Sequence, residues 1–313
     1  MGDKNRVIVV GAGLMGPGIA ACATLAGHPT TLTDLSAELA AAGVQRANEN
    51  ITQLLENRLT GQAEAARARE LLEAGTDPSE QMDDTFLIIE AVTENVALKQ
   101  KLFQELDAMA PADVLIASNT SGLRITDISE RTRHPERTVT THFWFPGHLV
   151  PLVEVVMGDR TDESTAVKVR DTLLTWKKAP VIVRKDLPGQ LANRILQAMI
   201  REASNVVQMG LATAEDVDTA IKMGLGIRLP AWGILEHIDA VGLDLALSVQ
   251  KVVLPGLNNE PRPVDHLEEL VADGDLGFKT GQGFYDWEAK DMDALASKRD
   301  QFIIEALRVL GRS

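Results

Sequence analysis

The chain has a single cysteine, Cys22, among its 313 residues. No intrachain disulfide can form and no zinc site can be built from thiolates. A reducing compartment, the cytoplasm, is the expected setting. Aromatic residues make up only 4%, too few to provide a series of stacking platforms along single-stranded nucleic acid. Lysine and arginine number 31 against 45 aspartates and glutamates, for a formal net charge of −14. That balance argues against nucleic acid or an anionic membrane as partner, since both need clustered cations. It leaves room for a small cationic pocket. Long apolar runs are also missing: Val7 to Thr33 holds no charged residue, but five glycines and Pro17 interrupt it. It therefore fits neither a membrane span nor a secretory leader, and no metal site is expected. The remaining composition, 45% hydrophobic and 24% charged, is that of a globular protein long enough for two domains.

The first thirty-four residues carry the clearest pattern. Arg6-Val-Ile-Val-Val10 is an uninterrupted β-branched run, as in a strand buried on both faces. It leads into Gly11-Ala-Gly13-Leu14-Met15-Gly16, a GxGxxG, and then a helical pattern from Pro17 to about Ala26. Thr30-Thr-Leu-Thr33 reads as a second strand ending at Asp34, 18 residues beyond Gly16. In such a unit the first glycine makes the tight turn, the second admits a pyrophosphate and the third lets helix and strand pack closely. The helix N-terminus presents unpaired N–H groups to the phosphates. Asp34 would accept hydrogen bonds from the adenosine ribose and repel a 2′-phosphate, which favours NAD over NADP. Strand before, helix after and acid at the right distance make this far more specific than the glycines alone.

Beyond it, residues 37–75 read as one or two long helices. Short apolar runs at Thr85–Ile89, Val114–Ala117, Val139–His142, Leu152–Val156 and Pro180–Arg184 read as strands, with a helix over Leu98–Met109. Strands alternating with helices predict a doubly wound, mostly parallel α/β sheet. After Lys185-Asp-Leu-Pro-Gly189 the period becomes helical from Leu191 to Met209, and Thr213-x-x-Asp216 resembles a capping box. These changes predict a Rossmann domain over 1–186 and an all-α domain over 187–313.

Oxidising a secondary alcohol requires a base for the hydroxyl proton as hydride leaves. His142 falls at the predicted C-terminal end of a strand, where α/β sheets place ligands. Glu154 follows 12 residues later on the next strand. A carboxylate there can fix the imidazole tautomer and stabilise its protonated form, although it also fits the outer face of a strand. Several strings stand in one order along the chain: Glu90-Ala91-Val92-Thr-Glu94-Asn95, Ser118-Asn119-Thr-Ser121, His142-Phe-Trp-Phe145-Pro146, Leu152-Val-Glu154-Val-Val156, Asp186-Leu-Pro-Gly189 with Asn193-Arg194, and Gly277-Phe-Lys-Thr-Gly281-Gln-Gly283-Phe-Tyr285. Together they resemble the L-3-hydroxyacyl-CoA dehydrogenase family over essentially the whole chain. The resemblance implies a Rossmann domain, a helical domain forming a homodimer, and NAD as cofactor. It implies His142 as base with Glu154 as partner, and Ser121 and Asn193 as hydrogen-bonding groups for the substrate oxygen and the histidine. Gly11, Gly13, Leu14, Met15, Gly16, Asp34, Ala91, Val92, Glu94, Lys99 and Asn119 match cofactor positions. Ser121 also fits a helix cap, and Lys99 an ordinary exposed helix lysine. His148 is close enough in sequence to contact substrate.

Two positions depart from the family: Phe145 stands where asparagine is usual, and Gln190 where phenylalanine is usual. The segment Gly224–Asp239 is longer before Gly233 than in the fatty-acid enzymes. Its GxGxR string, ending at Arg228, resembles the branch acting on small free acids: L-gulonate 3-dehydrogenase with lambda-crystallin, carnitine dehydrogenase and a pyridine-carboxylate dehydrogenase. Arg228 offers a planar fork for a carboxylate, though a loop arginine at the surface fits as well. Residues 37–75 contain no lysine, a weak argument against the phosphates of coenzyme A. The leading expectation is an NAD-dependent dehydrogenase interconverting a small 3-hydroxy acid and its 3-oxo form, with Arg228, Phe145, Ser121 and Asn193 at the substrate. A 3-hydroxyacyl-CoA thioester is the alternative substrate, and an NAD-binding crystallin-like protein with little turnover the alternative of another class.

Overall fold

Short β-branched runs set the framework. The computed structural model describes residues 4–312. Its strands are β1 (Arg6–Val10), β2 (Thr30–Thr33), β3 (Leu72–Gly75), β4 (Thr85–Glu90), β5 (Leu115–Ser118), β6 (Thr138–Phe143), β7 (Leu152–Val156) and β8 (Ala179–Val183). They form one sheet in the order β3-β2-β1-β4-β5-β6-β7-β8. Every neighbouring pair is parallel except β6 with β7. The intervening helices are α1 (Gly16–Leu25), α2 (Ala37–Glu56), α3 (Gln62–Glu70), α4 (Val96–Met109), α5 (Ile125–Ile128) and α6 (Glu163–Thr175).

Alternation along the strands divides the core into two layers. Val7, Val9, Leu87 and Ile89 pack with Ile19 of α1, Ala47 and Ile51 of α2, Ala65 of α3 and Val169 of α6. Ile8, Ile88 and Ile116 pack on the other face with Phe103 and Leu106 of α4 and Ile125 and Ile128 of α5. The central isoleucines have no exposed surface, each worth about 1.5–3 kcal/mol. Strand order reverses between β1 and β4, the switch point at which open α/β sheets bind ligands beyond the strand C-termini.

The edge strand β3 was not expected. Leu72-Glu-Ala-Gly75 lacks β-branched residues, so its propensity is poor, and its ladder to β2 is what makes it a strand. The antiparallel step from β6 to β7 has a simple cause: residues 144–151 are too few for a crossover helix.

The chain divides into two compact units, Met1–Leu191 with Ile303–Ser313, and Ala192–Phe302. The division differs from the expected 1–186 and 187–313 in two respects: the boundary falls after Leu191, and the end of the chain belongs with the first unit. Ile304 and Leu307 are buried with Leu54, Leu59 and Leu149, and Arg308 donates to the Asn57 carbonyl at 2.7 Å. The second unit contains α7 (Leu191–Gln208), α8 (Ala214–Ala220), α9 (Ile234–Val241), α10 (Leu243–Val253) and α11 (Asp265–Asp273), and α12 (Met292–Val309) begins in it. Thr213 caps α8 by accepting from the Asp216 N–H at 3.1 Å. Beyond residue 190 the only β pairing among the described residues is the isolated bridges Gly277–Gln282 and Gln282–Asp286. No described helix is long and apolar enough to cross a membrane.

Candidate active site

The glycines of the β1–α1 turn are required by close approach. Gly11 has φ +107°, and a Cβ there would lie 2.7 Å from the Ala91 carbonyl oxygen. A Cβ on Gly16 would come within 1.9 Å of the Gly11 oxygen. Around Gly13, in contrast, no protein atom lies within 4 Å of the added carbon, so the backbone is open at the point where a pyrophosphate would approach. Leu14 is exposed beside it, and Met15 opens α1 without a side-chain cap. The first N–H groups of a helix have no intrahelical partner. Asp34 closes β2, with Oδ2 accepting from Ala12 N–H and Oδ1 from Leu35 N–H, both at 2.7 Å. The guanidinium of Arg46 on α2 donates to the Ala12 carbonyl from the other side. An open glycine backbone, a helix N-terminus and a fixed carboxylate together fit a dinucleotide.

At the ends of β4 and β5 a buried network shapes the neighbouring loops. Glu90, with no exposed surface, accepts from Val92 N–H (2.6 Å), Lys99 Nζ (2.5 Å) and Ser118 Oγ (2.6 Å). Lys99 is only 1% exposed and also donates to the Val92 carbonyl at 3.2 Å. Its ammonium also lies 3.5 Å from Glu94 Oε2, so the lysine joins Glu90 to a second carboxylate among the expected cofactor positions, and burial without these partners would be far costlier. Ala91 and Val92 are positioned by this network. Glu94 accepts from Thr120 Oγ1 (2.5 Å) and from the N–H groups of Ser121 (3.1 Å) and Gly122 (3.2 Å). Burial pushes its carboxyl upward, but these donors and the Lys99 charge prevail and hold it below its ordinary value. Ser121 is exposed on this turn. Asn119 Oδ1 accepts from Phe143 N–H at 2.8 Å, tying β5 to β6.

His142 and Glu154 are direct partners across the antiparallel ladder. His142 is 5% exposed and Glu154 fully buried, with Nδ1 of the ring 2.8 Å from Oε2 of the carboxylate. Trp144 Nε1 donates to that same oxygen at 3.0 Å. The tryptophan and histidine rings lie 5.4 Å apart at 51°.

Phe145 follows at 47% exposure, preceding the cis peptide to Pro146. With Gly13, Leu14, Pro17, Arg46, Glu49 and Asn50 it lines a cavity of about 420 Å³. His148 is engaged elsewhere, its Nε2 2.6 Å from Gln53 Oε1. Gln190 is 2% exposed, and its Oε1 has no protein partner among the described residues. Asn193, in the first turn of α7, and Arg228 belong to the second unit. Arg228 is exposed, with Nε donating to the Gly224 carbonyl at 3.0 Å. No group of three or more histidines, cysteines or acids able to hold a metal occurs among the described residues.

Three contributors escaped the sequence reading. Glu90 ends the apolar run 86–89, and a carboxylate at a strand end among apolar residues was the available signal. Arg46 and Trp144 act on partners remote in sequence, and no local pattern marks them.

The fold and this site define a dinucleotide-binding α/β protein with an imidazole–carboxylate pair across its β6–β7 ladder. Two family models cover most of the chain: the 3-hydroxyacyl-CoA dehydrogenase NAD binding domain over residues 6–187, and the C-terminal domain of the same enzymes over 189–287. The chain belongs to the 3-hydroxyacyl-CoA dehydrogenase family, and is an NAD-dependent oxidoreductase acting on CH–OH groups. It is 29% identical to the 5-formyl-3-hydroxy-2-methylpyridine 4-carboxylate 5-dehydrogenase of Mesorhizobium japonicum, over 98% of both chains. It is 36% identical to a probable 3-hydroxybutyryl-CoA dehydrogenase of Bacillus subtilis, over 92% of this chain and 99% of that one. Among solved structures, a pyridine-carboxylate 5-dehydrogenase described as an NAD+-dependent dismutase matches with a TM-score of 0.90 at 28% identity, over 98% of both chains. The (S)-3-hydroxybutyryl-CoA dehydrogenase of Ralstonia eutropha matches with 0.75 at 34% identity, over 91% of this chain and 99% of that one.

Proposed function

We propose that this dehydrogenase reversibly oxidises the 3-hydroxyl of a small free 3-hydroxy acid to a 3-oxo group, with His142 as base and Glu154 as its partner. The observation that carries the chemistry is the 2.8 Å contact between His142 Nδ1 and Glu154 Oε2, buried across the β6–β7 ladder. With the glutamate ionised, Nδ1 carries the ring proton and donates to it, which leaves Nε2 to take the substrate hydroxyl proton. Glu154 then stabilises the imidazolium through charge. The loop Gly11–Gly16, Asp34 and the turns at Ala91–Glu94 and Asn119 would hold NAD, which when bound supplies the hydride acceptor. Ser121 and Asn193 orient the substrate oxygen.

The free-acid reading rests on Arg228, whose guanidinium suits a carboxylate, and on the pyridine-carboxylate relative. That protein aligns over 98% of the chain. Phe145 supplies an apolar wall where the family has an amide. The 36% identity to a hydroxybutyryl-CoA enzyme favours a coenzyme A thioester as the second reading.

A homodimer through the C-terminal helices is part of the proposal. Helices α8 to α11 contain no buried residue, and Leu235 and Val252 are 77% and 78% exposed. Apolar surface of this density requires a cover, and a second copy provides one.

Replacing His142 by asparagine tests the assignment. Loss of a general base predicts a fall in kcat of about 10²–10⁴-fold with NAD affinity retained in calorimetry. Unchanged turnover contradicts it and would favour a crystallin-like role.

A further inference from the structure

We infer that Trp144 is a positioning residue that sets how strongly Glu154 acts on His142; the inference rests on the base reading given above. Glu154 Oε2 is shared, taking the His142 ring at 2.8 Å and the Trp144 indole N–H at 3.0 Å. Both donors come from one strand and its immediate continuation, so the carboxylate on β7 is clamped from one side by residues two apart. The tilted ring contact at 5.4 Å holds the imidazole against rotation about its Cβ–Cγ bond.

The indole is a neutral donor that cannot titrate in the working range. Its hydrogen bond stabilises the carboxylate most when the imidazole is neutral and the negative charge is uncompensated. Once His142 is protonated, the imidazolium itself neutralises the carboxylate and the indole matters less. Trp144 therefore favours the neutral, proton-accepting form of the imidazole.

The flanking elements hold their charges elsewhere. Strand β8 (Ala179–Val183) carries no ionisable side chain. Lys178, just before it, donates to the Gly147 and Val150 carbonyls at 2.6 and 3.0 Å. On the other side of β6, Ser118 of β5 closes on Glu90, which is bound to Lys99.

The test is Trp144→Phe in the full chain, which keeps an aromatic ring and removes the N–H. The low-pH limb of kcat/KM for alcohol oxidation should move to higher pH by about half a unit, an approximately threefold loss measured on that limb, with NAD affinity unchanged. The downfield proton resonance of His142 Nδ1–H, assigned by its disappearance in His142→Asn, should move further downfield as the indole no longer competes for the oxygen. A limb and a resonance both unmoved overturn the inference. A moved resonance with an unmoved limb overturns His142 as base, and the positioning role falls with it. Should the phenylalanine variant not fold, benzothienylalanine at position 144, isosteric with tryptophan but without the N–H, carries the same predictions.

Discussion

Glu90 and Lys99 meet at 2.5 Å where water reaches neither, and their contact explains how two loops at the cofactor end of the sheet keep their shape. Burying such a pair is costly, and breaking it is costlier, because the survivor is left charged and uncompensated. Lys99→Met should therefore cost about 3–5 kcal/mol in urea unfolding, far more than loss of an exposed lysine. Weakened NAD binding should accompany this loss as the Ala91–Val92 turn relaxes. An effect within the range of a surface substitution would mean that the network is ornamental. At this scale the sequence was partly legible. His142 could be chosen because it stands at the end of a strand-like run, and Glu154 because it interrupts the apolar run of the next strand 12 residues later. Trp144 could not, since its indole reaches a carboxylate on another strand, and neither its neighbours nor its spacing announces that partner. The pairing of Lys99 with Glu90 was not legible either, because helix position alone does not reveal that a buried carboxylate lies within reach.

Elements are joined by a second buried pair. Asp107 of α4 accepts from Arg137, just before β6, at 2.7 and 3.1 Å, and from the Arg133 N–H at 2.6 Å. Burial raises the carboxyl, but the Arg137 bonds and charge, with the backbone donors, outweigh it and leave it below its ordinary value of 3.8. A depressed folded value means that the stabilisation is present above the unfolded value and is lost as pH falls through the folded one. Asp107→Asn should thus destabilise at neutral pH by about 3–5 kcal/mol. The gap from the parent in thermal unfolding should begin to narrow near the ordinary value of 3.8 and close only as pH falls through the lower folded value, where the parent carboxyl also becomes neutral. A gap independent of pH would assign the loss to packing rather than charge. Most elements were visible as apolar runs of the right period. The edge strand β3 was not, because Leu72-Glu-Ala-Gly75 has no strand-forming side chains and owes its conformation to β2. The antiparallel turn from β6 to β7, which makes His142 and Glu154 face each other, followed from loop length and could have been read.

Over the whole molecule, the two units bury their apolar residues to different degrees. The sheet-bearing unit has fully buried layers on both faces, whereas helices α8 to α11 hold none. Sedimentation should accordingly show a single dimeric species, and Leu235→Glu with Val252→Glu should dissociate it; a monomeric parent would refute the dimer. The return of the chain end to the first unit had no sequence signal, because helical period does not say which neighbour a helix face meets. The central claim concerns substrate, and it is tested most directly by following NADH formation from NAD with free 3-hydroxy acids, including hydroxylated pyridine carboxylates, carnitine and gulonate, in parallel with 3-hydroxyacyl-CoA thioesters. Turnover with a free acid that collapses in Arg228→Ala is the predicted result. Preference for the thioesters, with Arg228→Ala unaffected, would contradict it.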